Sequence, residues 1–445
     1  MVNKQNMKSE ILLCFFISVS IFGNAQVSPA TNYISLDIST SPQNAGFDYD
    51  SCFTIGDDIG MSSVGMFQNW TNIETAPGVF NLFLFDVANF YYPANGMPVD
   101  LTIAPIATNQ LEVPSDLTST AFDSPTMINR FKILLDSIKL HIPALTLSSL
   151  VIGSEHDIYI GANATLWNQY TTFYDSVSAY AKILWPGLKV ATELTFTGIT
   201  NYNTFAQTLN TNSDYIGVSH YPLNTNFTVQ PVSVLAGDFD TLVTLYPSKP
   251  ICFYQYGYPS STSCNSSDAL QAQFITETFN VWDTHAANVR MIDFTWLHDL
   301  DTATVNYYAT YYGITDTVFL EFLRTLGFRT WNGNGTDKPA LDELRCQAKS
   351  HGFNALPIVC NVGVEESALA ENDFTIFPNP ATESLTINTN SKNKECIQIY
   401  NSMGMLVKEF DMMQSVQIYI DDLPSGLYFI CFKNQFVQAE KFIKE

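Results

Sequence analysis

Five short stretches carry the side chains that proton transfer or nucleophilic attack requires, and each closes an apolar run. Ser149 to Gly153 leads into Ser154, Glu155, His156 and Asp157, and Lys189 to Glu193 ends on a carboxyl group. Tyr215 to Ser219 leads into His220 and Tyr221; Pro250 to Tyr254 into Gln255, Tyr256, Gly257 and Tyr258; Val289 to Thr295 into Trp296, Leu297, His298 and Asp299. Two carboxyl groups facing one another can divide the work of protonating a leaving group and attacking, or activating water, from the opposite side. His156, His220 and His298 with Asp299 offer a different chemistry, a shared metal ion. No glycine-rich phosphate loop is present, and no Gly-x-Ser-x-Gly elbow joins a strand to a helix, so nucleotide and acyl-transfer chemistry drop out.

These stretches meet only if the elements before them are parallel and closed into a ring. From about residue 31 to 350, short apolar runs alternate with amphipathic helical segments, the pattern of strands joined by crossover helices. Tyr33 to Asp37, Ser63 to Phe67 and Val99 to Ala104 precede the five runs above and bring the strand candidates to the number a (β/α)8 TIM barrel needs. The helices carry their own signatures. Ser124 before Pro125 is a cap followed by a first-turn proline, and Met127, Phe131, Leu134, Leu135 and Ile138 recur at helical spacing. Leu166, Tyr170, Phe173, Val177 and Leu184 form a second apolar face, stopped by Pro186 and Gly187, and Val318, Phe319, Phe322, Leu323 and Leu326 a third. Such stripes face a core and say nothing about chemistry.

The expected organisation is a signal peptide over 1–25, the barrel over 26–360, a linker over 361–373 and a small C-terminal all-β sandwich over 374–445. Lys4 and Lys8, the apolar run Ile11 to Phe22, and then Gly23, Asn24 and Ala25 follow the order of a signal peptide. No later run predicts a transmembrane segment in the mature chain. A formal charge of −23, from 43 acidic and 20 basic residues, would repel a phosphate backbone and excludes nucleic acid as a partner. Nothing calls for a cofactor. Cys252 with Cys264, and Cys346 with Cys360, are near enough in sequence to close short loops, but spacing alone leaves the pairing open.

Beyond the acidic stretch around Glu365, Glu366 and Glu371 come short alternating strands, Leu385 to Asn388, Cys396 to Tyr400, Val416 to Ile420 and Leu427 to Phe432. Phe377-Pro378-Asn379-Pro380, Asn401-Ser402-Met403-Gly404, Leu423-Pro424-Ser425-Gly426-Leu427-Tyr428, and the basic tail with Lys441 and Lys444 resemble the C-terminal sorting domain of the Bacteroidetes type IX secretion system. That resemblance implies engagement of the type IX machinery and a secreted or surface-attached product.

The order of the barrel residues resembles the clan of retaining (β/α)8 glycoside hydrolases that includes arabinogalactan- and mannan-type enzymes. Glu155 matches the acid/base after strand four, the Tyr256-Gly257-Tyr258-Pro259 run matches the residues after the strand-seven nucleophile, and Trp296 matches the aromatic floor of the sugar subsite. The resemblance implies a polysaccharide or oligosaccharide ligand, with Ser154, His156, Glu193, His220, Tyr221, Tyr258, Trp296 and Asp299 as contacts and Glu155 and Gln255 as the catalytic positions. Two residues depart from the pattern: Ser154 stands for the usual Asn, and Gln255 for the nucleophilic Glu. A neutral amide neither attacks an anomeric carbon nor stabilises an oxocarbenium ion by charge. Four readings follow: a glycan-binding barrel without turnover; a glycosidase using another carboxyl, with Glu193, Asp157 and Asp299 expected at the mouth; substrate-assisted cleavage of an N-acetylated sugar, with Gln255 orienting the acetamide; and a metal-dependent hydrolase.

Overall fold

The computed structural model describes residues 26–39, 41–42, 47–356, 360, 374–389, 394–401, 406–432 and 440–445. The expected signal peptide and linker lie outside these residues. The chain divides into two compact units, the first ending at Cys360.

In the first unit the strands are β1 (Tyr33–Leu36), β2 (Val64–Asn69), β3 (Val99–Ala107), β4 (Leu147–Ser154), β5 (Lys189–Ala191, resuming as Glu193–Thr195), β6 (Ile216–His220), β7 (Ile251–Tyr256) and β8 (Val289–Phe294). Each runs parallel to the next, from β2 through β5 and from the second half of β5 through β8. The ring closes where β8 pairs with β1 over Tyr33↔Met291 to Leu36↔Phe294, and where Ser35 bridges Ser63. The ladder extends through polar residues that hydropathy alone excludes, so β4 keeps Ser154, β6 keeps His220 and β7 keeps Gln255 and Tyr256. Backbone hydrogen bonds, not side-chain polarity, decide where a strand ends.

A crossover helix follows each strand: α1 (Tyr49–Asp58), α2 (Phe83–Ala94), α3 (Pro125–His141), α4 (Ala164–Leu184), α5 (Asn203–Leu209), α6 (Val234–Leu245), α7 (Asp268–Thr284) and α8 (Pro339–Ser350), with short helices Trp70–Ile73, His156–Ile160 and Phe196–Asn201 added after β2, β4 and β5. Ser124 caps α3 by accepting from the Thr126 amide at 3.2 Å, and Met127, Phe131, Leu134, Leu135 and Ile138 are all buried. Each such side chain contributes about 1.5–3 kcal/mol through burial. Two further helices, Thr302–Tyr312 and Thr317–Arg324, fill the β8–α8 connection. They have an apolar cluster of their own, Leu300, Val305, Phe319, Phe322, Leu323 and Leu326, which anchors them beside the strand ends. Cys346 of α8 is disulfide-bonded to Cys360, whereas Cys252 and Cys264 are separate buried thiols.

The second unit is antiparallel. One sheet pairs β9 (Phe374–Phe377), β10 (Ser384–Thr389) and β13 (Ser415–Tyr419); the other pairs β12 (Leu406–Met412), β11 (Glu395–Asn401), β14 (Gly426–Phe432) and β15 (Glu440–Lys444). Leu385, Ile387, Ile397, Ile399, Ile430 and Phe442 alternate inward to make its core. No described helix is long and apolar enough to cross a membrane.

Candidate functional site

A cavity of about 700 Å³ opens at the C-terminal ends of the barrel strands, within the range of about 300–1,000 Å³ usual for ligand sites. Ser154 of β4, Glu193 of β5 and Gln255 of β7 share it with Trp296, Tyr308 and Tyr312.

The three strand residues form one hydrogen-bonded group. Ser154 Oγ donates to Glu193 Oε2 at 2.7 Å, and Gln255 Nε2 donates to Ser154 Oγ at 3.0 Å and to Glu193 Oε2 at 3.3 Å. Tyr221 donates its hydroxyl proton to Gln255 Oε1 at 3.2 Å, fixing the amide from its other end. Glu193 is buried, and burial followed by the nearby charge of Glu155 pushes its pKa up to about 8. Glu193 is therefore a carboxylic acid that holds its proton near neutral pH, beside a neutral amide.

Glu155 lies one residue beyond β4 in the left-handed region, with φ +47°, a conformation that costs on the order of 1 kcal/mol for a residue with a Cβ and that concentrates at functional sites. The turn into it depends on Gly153, whose φ is +83° and where an added Cβ would lie 2.1 Å from the Tyr170 hydroxyl. The carboxylate of Glu155 accepts from Thr108 Oγ1 at 2.7 Å and from Ser219 Oγ. Thr108 itself lines the cavity.

The cavity continues into the barrel, where Asp37, Asp100 and Asp293 join Glu193 in lining it. Burial raises the pKa of all three aspartates, and for Asp293 the nearby charges of Asp37 and Asp100 add to the effect. Asp100 accepts from Ser148 at 2.8 Å and from Ser149 at 2.6 Å. Barrel interiors are ordinarily packed with branched apolar side chains, so this polar shaft is a departure from the fold's usual filling.

The opposite wall is aromatic. Trp296 stacks on Tyr308 with centroids 6.2 Å apart and 14° between planes, and Tyr308 stacks on Tyr312 at 5.7 Å and 11°. Tyr307 and Tyr311 make a parallel pair at 5.9 Å. The loop after β3 pins this helix, as Asn109 and Gln110 side chains donate to the Tyr312 and Tyr311 carbonyls, both at 2.8 Å. Sequence reading missed these tyrosines. Their signal is the repeat Tyr307-Tyr308 and Tyr311-Tyr312, a spacing of four that aligns rings on one helix face.

Several residues expected at the mouth lie elsewhere. His156 is buried against Tyr170 of α4 at 4.3 Å, and burial holds its pKa down at about 3. His220 points outward from β6, with Nε2 3.0 Å from Asp238 of α6. His298 meets the ring edge of Phe47 at 5.4 Å. The three histidines thus face three different surroundings and do not converge, which removes the ligand set that the metal reading needs. Tyr258 stacks on Phe274 of α7 and donates to the Gln230 carbonyl at 2.8 Å, so it is packing and not a ligand platform. Asp299 pairs with buried Lys338 at 2.6 Å, and Asp157 accepts from the Thr195 amide and hydroxyl at 2.9 and 2.7 Å, anchoring the chain after β5. Neither aspartate lines the cavity. Helical and strand periodicity fix which residues lie at strand ends, but the pleat sends alternate side chains outward, and that alternation separates Ser219 from His220.

Residues 375–445 match the family described as Secretion system C-terminal sorting domain. A search of curated proteins found no match. Among solved structures, the chain is similar to a GH5_18 protein from Bifidobacterium longum subsp. infantis, with 15% identity over 72% of this chain and 79% of that one, TM-score 0.54. It is similar to the exo-β-1,4-mannosidase Op5Man5 from Opitutaceae bacterium strain TAV5, with 15% identity over 74% and 61% and TM-score 0.55. A GH5_18 protein from Streptomyces cattleya in complex with Manβ1-4GlcNAc gives 14% identity over 74% and 83%, TM-score 0.55. The chain spans only 46% of the Bacteroides uniformis β-glucuronidase 2 chain that it also matches, with TM-score 0.49. At these identities the likeness is one of fold. The chain is a (β/α)8 barrel whose structural neighbours are glycoside hydrolases, followed by a type IX secretion-system sorting domain that marks it for secretion or attachment to the cell surface.

Proposed function

We propose that the exported barrel binds a polysaccharide or oligosaccharide in this cavity. One observation carries the reading: the Trp296–Tyr308–Tyr312 stack and the Ser154–Gln255–Glu193 group share a single cavity. A sugar ring has an apolar C–H face and a rim of hydroxyls, and a site with a flat aromatic wall beside a few fixed polar groups suits both. The mannosidase and the Manβ1-4GlcNAc complex among the structural neighbours support the same ligand class.

A second reading, hydrolysis, is favoured by the Glu193 oxygen 3.3 Å from Gln255 Nε2. On this reading Gln255 holds the nucleophile position of a retaining enzyme, with the Glu193 carboxyl group beside it. Glu193, holding its proton up to about pH 8, would be the acid, and Glu155, held by hydrogen bonds from Thr108 and Ser219, would be the partner that attacks or activates water. These roles reverse the one that family resemblance gives Glu155. Gln255 would orient Glu193 and carry no charge.

The test is a panel of plant, algal and bacterial β-glycans, scored for binding and for reducing-end release with wild type, Glu155→Gln and Glu193→Gln. Saturable binding without release establishes the first reading. Release that both substitutions abolish establishes the second. Binding to no glycan overturns both.

A further inference from the structure

The charge of the cavity lining bears on which glycan it can take, an inference that rests on the glycan reading above. Among the described residues, four carboxyl groups line the cavity, Asp37, Asp100, Glu193 and Asp293, and no Lys, Arg or His does. Four cations of the barrel are paired away from it: Lys338 with Asp299, Arg329 and Arg345 with Asp337, and Arg130 with Glu74. Of the oxygens on these four groups, three are buried without a hydrogen-bond partner, Asp100 Oδ2, Asp293 Oδ1 and Glu193 Oε1. A sugar hydroxyl can donate to such an oxygen, or accept from it where it carries a proton, whereas a uronate or sulfate group brings only acceptors and a charge that no cation there offsets.

We propose that the cavity selects uncharged sugar units and rejects uronic and sulfated ones, because every ionisable group lining it is acidic and nothing there pairs with an anion. Burying an anion among these groups without a counter-cation leaves its desolvation uncompensated. Burial raises the pKa of all four groups, and for Glu193 and Asp293 nearby acidic charges add to the effect.

Matched probes isolate the effect: β-1,4-mannohexaose against β-1,4-oligomannuronate, and cellohexaose against β-1,4-oligoglucuronate, pairs that differ only in –CH2OH or –COO⁻ at C5. Titration calorimetry of the full mature chain at pH 7 and low salt should show the uronate of the better-bound pair weaker by at least about tenfold, a factor equivalent to about 1.4 kcal/mol. Asp293→Asn should narrow that gap, read as the ratio of the two dissociation constants within the variant. Equal or tighter binding of the uronate overturns the charge selection and leaves the glycan reading standing. Failure of these neutral probes and of every glycan in the panel overturns the glycan reading, and this inference with it.

Discussion

Gln255 Nε2 lies 3.3 Å from Glu193 Oε2, so the amide at the end of β7 is bonded directly to a buried carboxyl group of β5. The pair is neutral when Glu193 is protonated, which its pKa of about 8 ensures at pH 7. A neutral pair in an acidic shaft keeps the barrel interior from carrying another charge.

Gln255→Glu removes that donor and sets two acids in contact. The variant should be less stable at pH 7, by on the order of 1–3 kcal/mol from the lost hydrogen bond and the added repulsion, and the deficit should shrink at pH 5, where both groups hold protons. Thermal melts at the two pH values measure it. An unchanged melting temperature at pH 7 would show that the contact is absent in solution.

Glu193→Gln should change how stability depends on pH. The folded pKa, about 8, lies above the ordinary value of 4.5, so between those values the folded state keeps a proton that the unfolded chain has lost. Wild-type stability from this group is therefore full below about pH 4.5 and declines until about pH 8. The variant lacks the decline, and its stability relative to wild type should rise by on the order of a few kcal/mol from pH 5 to pH 8. Denaturant midpoints across that range test this; a difference that stays constant would refute the buried acid.

On the hydrolysis reading, the same proton is the one delivered to the leaving group. The kcat/KM for a glycan substrate should then fall on the alkaline side with a midpoint near pH 8, where Glu193 ionises. A midpoint near pH 5 would assign proton delivery to another group.

Lys338→Ala breaks the 2.6 Å ion pair with Asp299, leaving a partly buried carboxylate without its cation. The loss should be about 3–5 kcal/mol, visible as a large drop in melting temperature. Glycan affinity below the melting range should be unchanged, since neither residue lines the cavity. A shift in affinity with no loss of stability would return Asp299 to the binding site.

The barrel was legible because its signals are local and periodic: apolar runs at strand positions, the Ser124 cap, and the stripe from Met127 to Ile138. Strand ends could also be read, and Ser154, Glu193, Gln255 and Trp296, all expected there, line one cavity. Side-chain direction was harder, because His220 and Ser219 are neighbours in sequence and face opposite sides of β6. The inward carboxyls Asp37, Asp100 and Asp293 went unnoticed, since a single acid in an apolar run looks like a strand boundary until the ring brings the three together. In the second unit, Leu406–Met412 and Glu440–Lys444 carry enough charge to hide their alternation, and only pairing with β11 and β14 reveals them.

The glycan reading rests on the aromatic wall, and its most direct test is a binding isotherm for a neutral oligosaccharide from the panel, measured with wild type, Trp296→Phe and Trp296→Ala. The structure predicts saturable binding by wild type, a modest loss in the Phe variant, and a loss of about 2 kcal/mol or more in the Ala variant, as expected for a stacking tryptophan. Equal affinity in wild type and Trp296→Ala, or no saturable binding to any oligosaccharide, would contradict it.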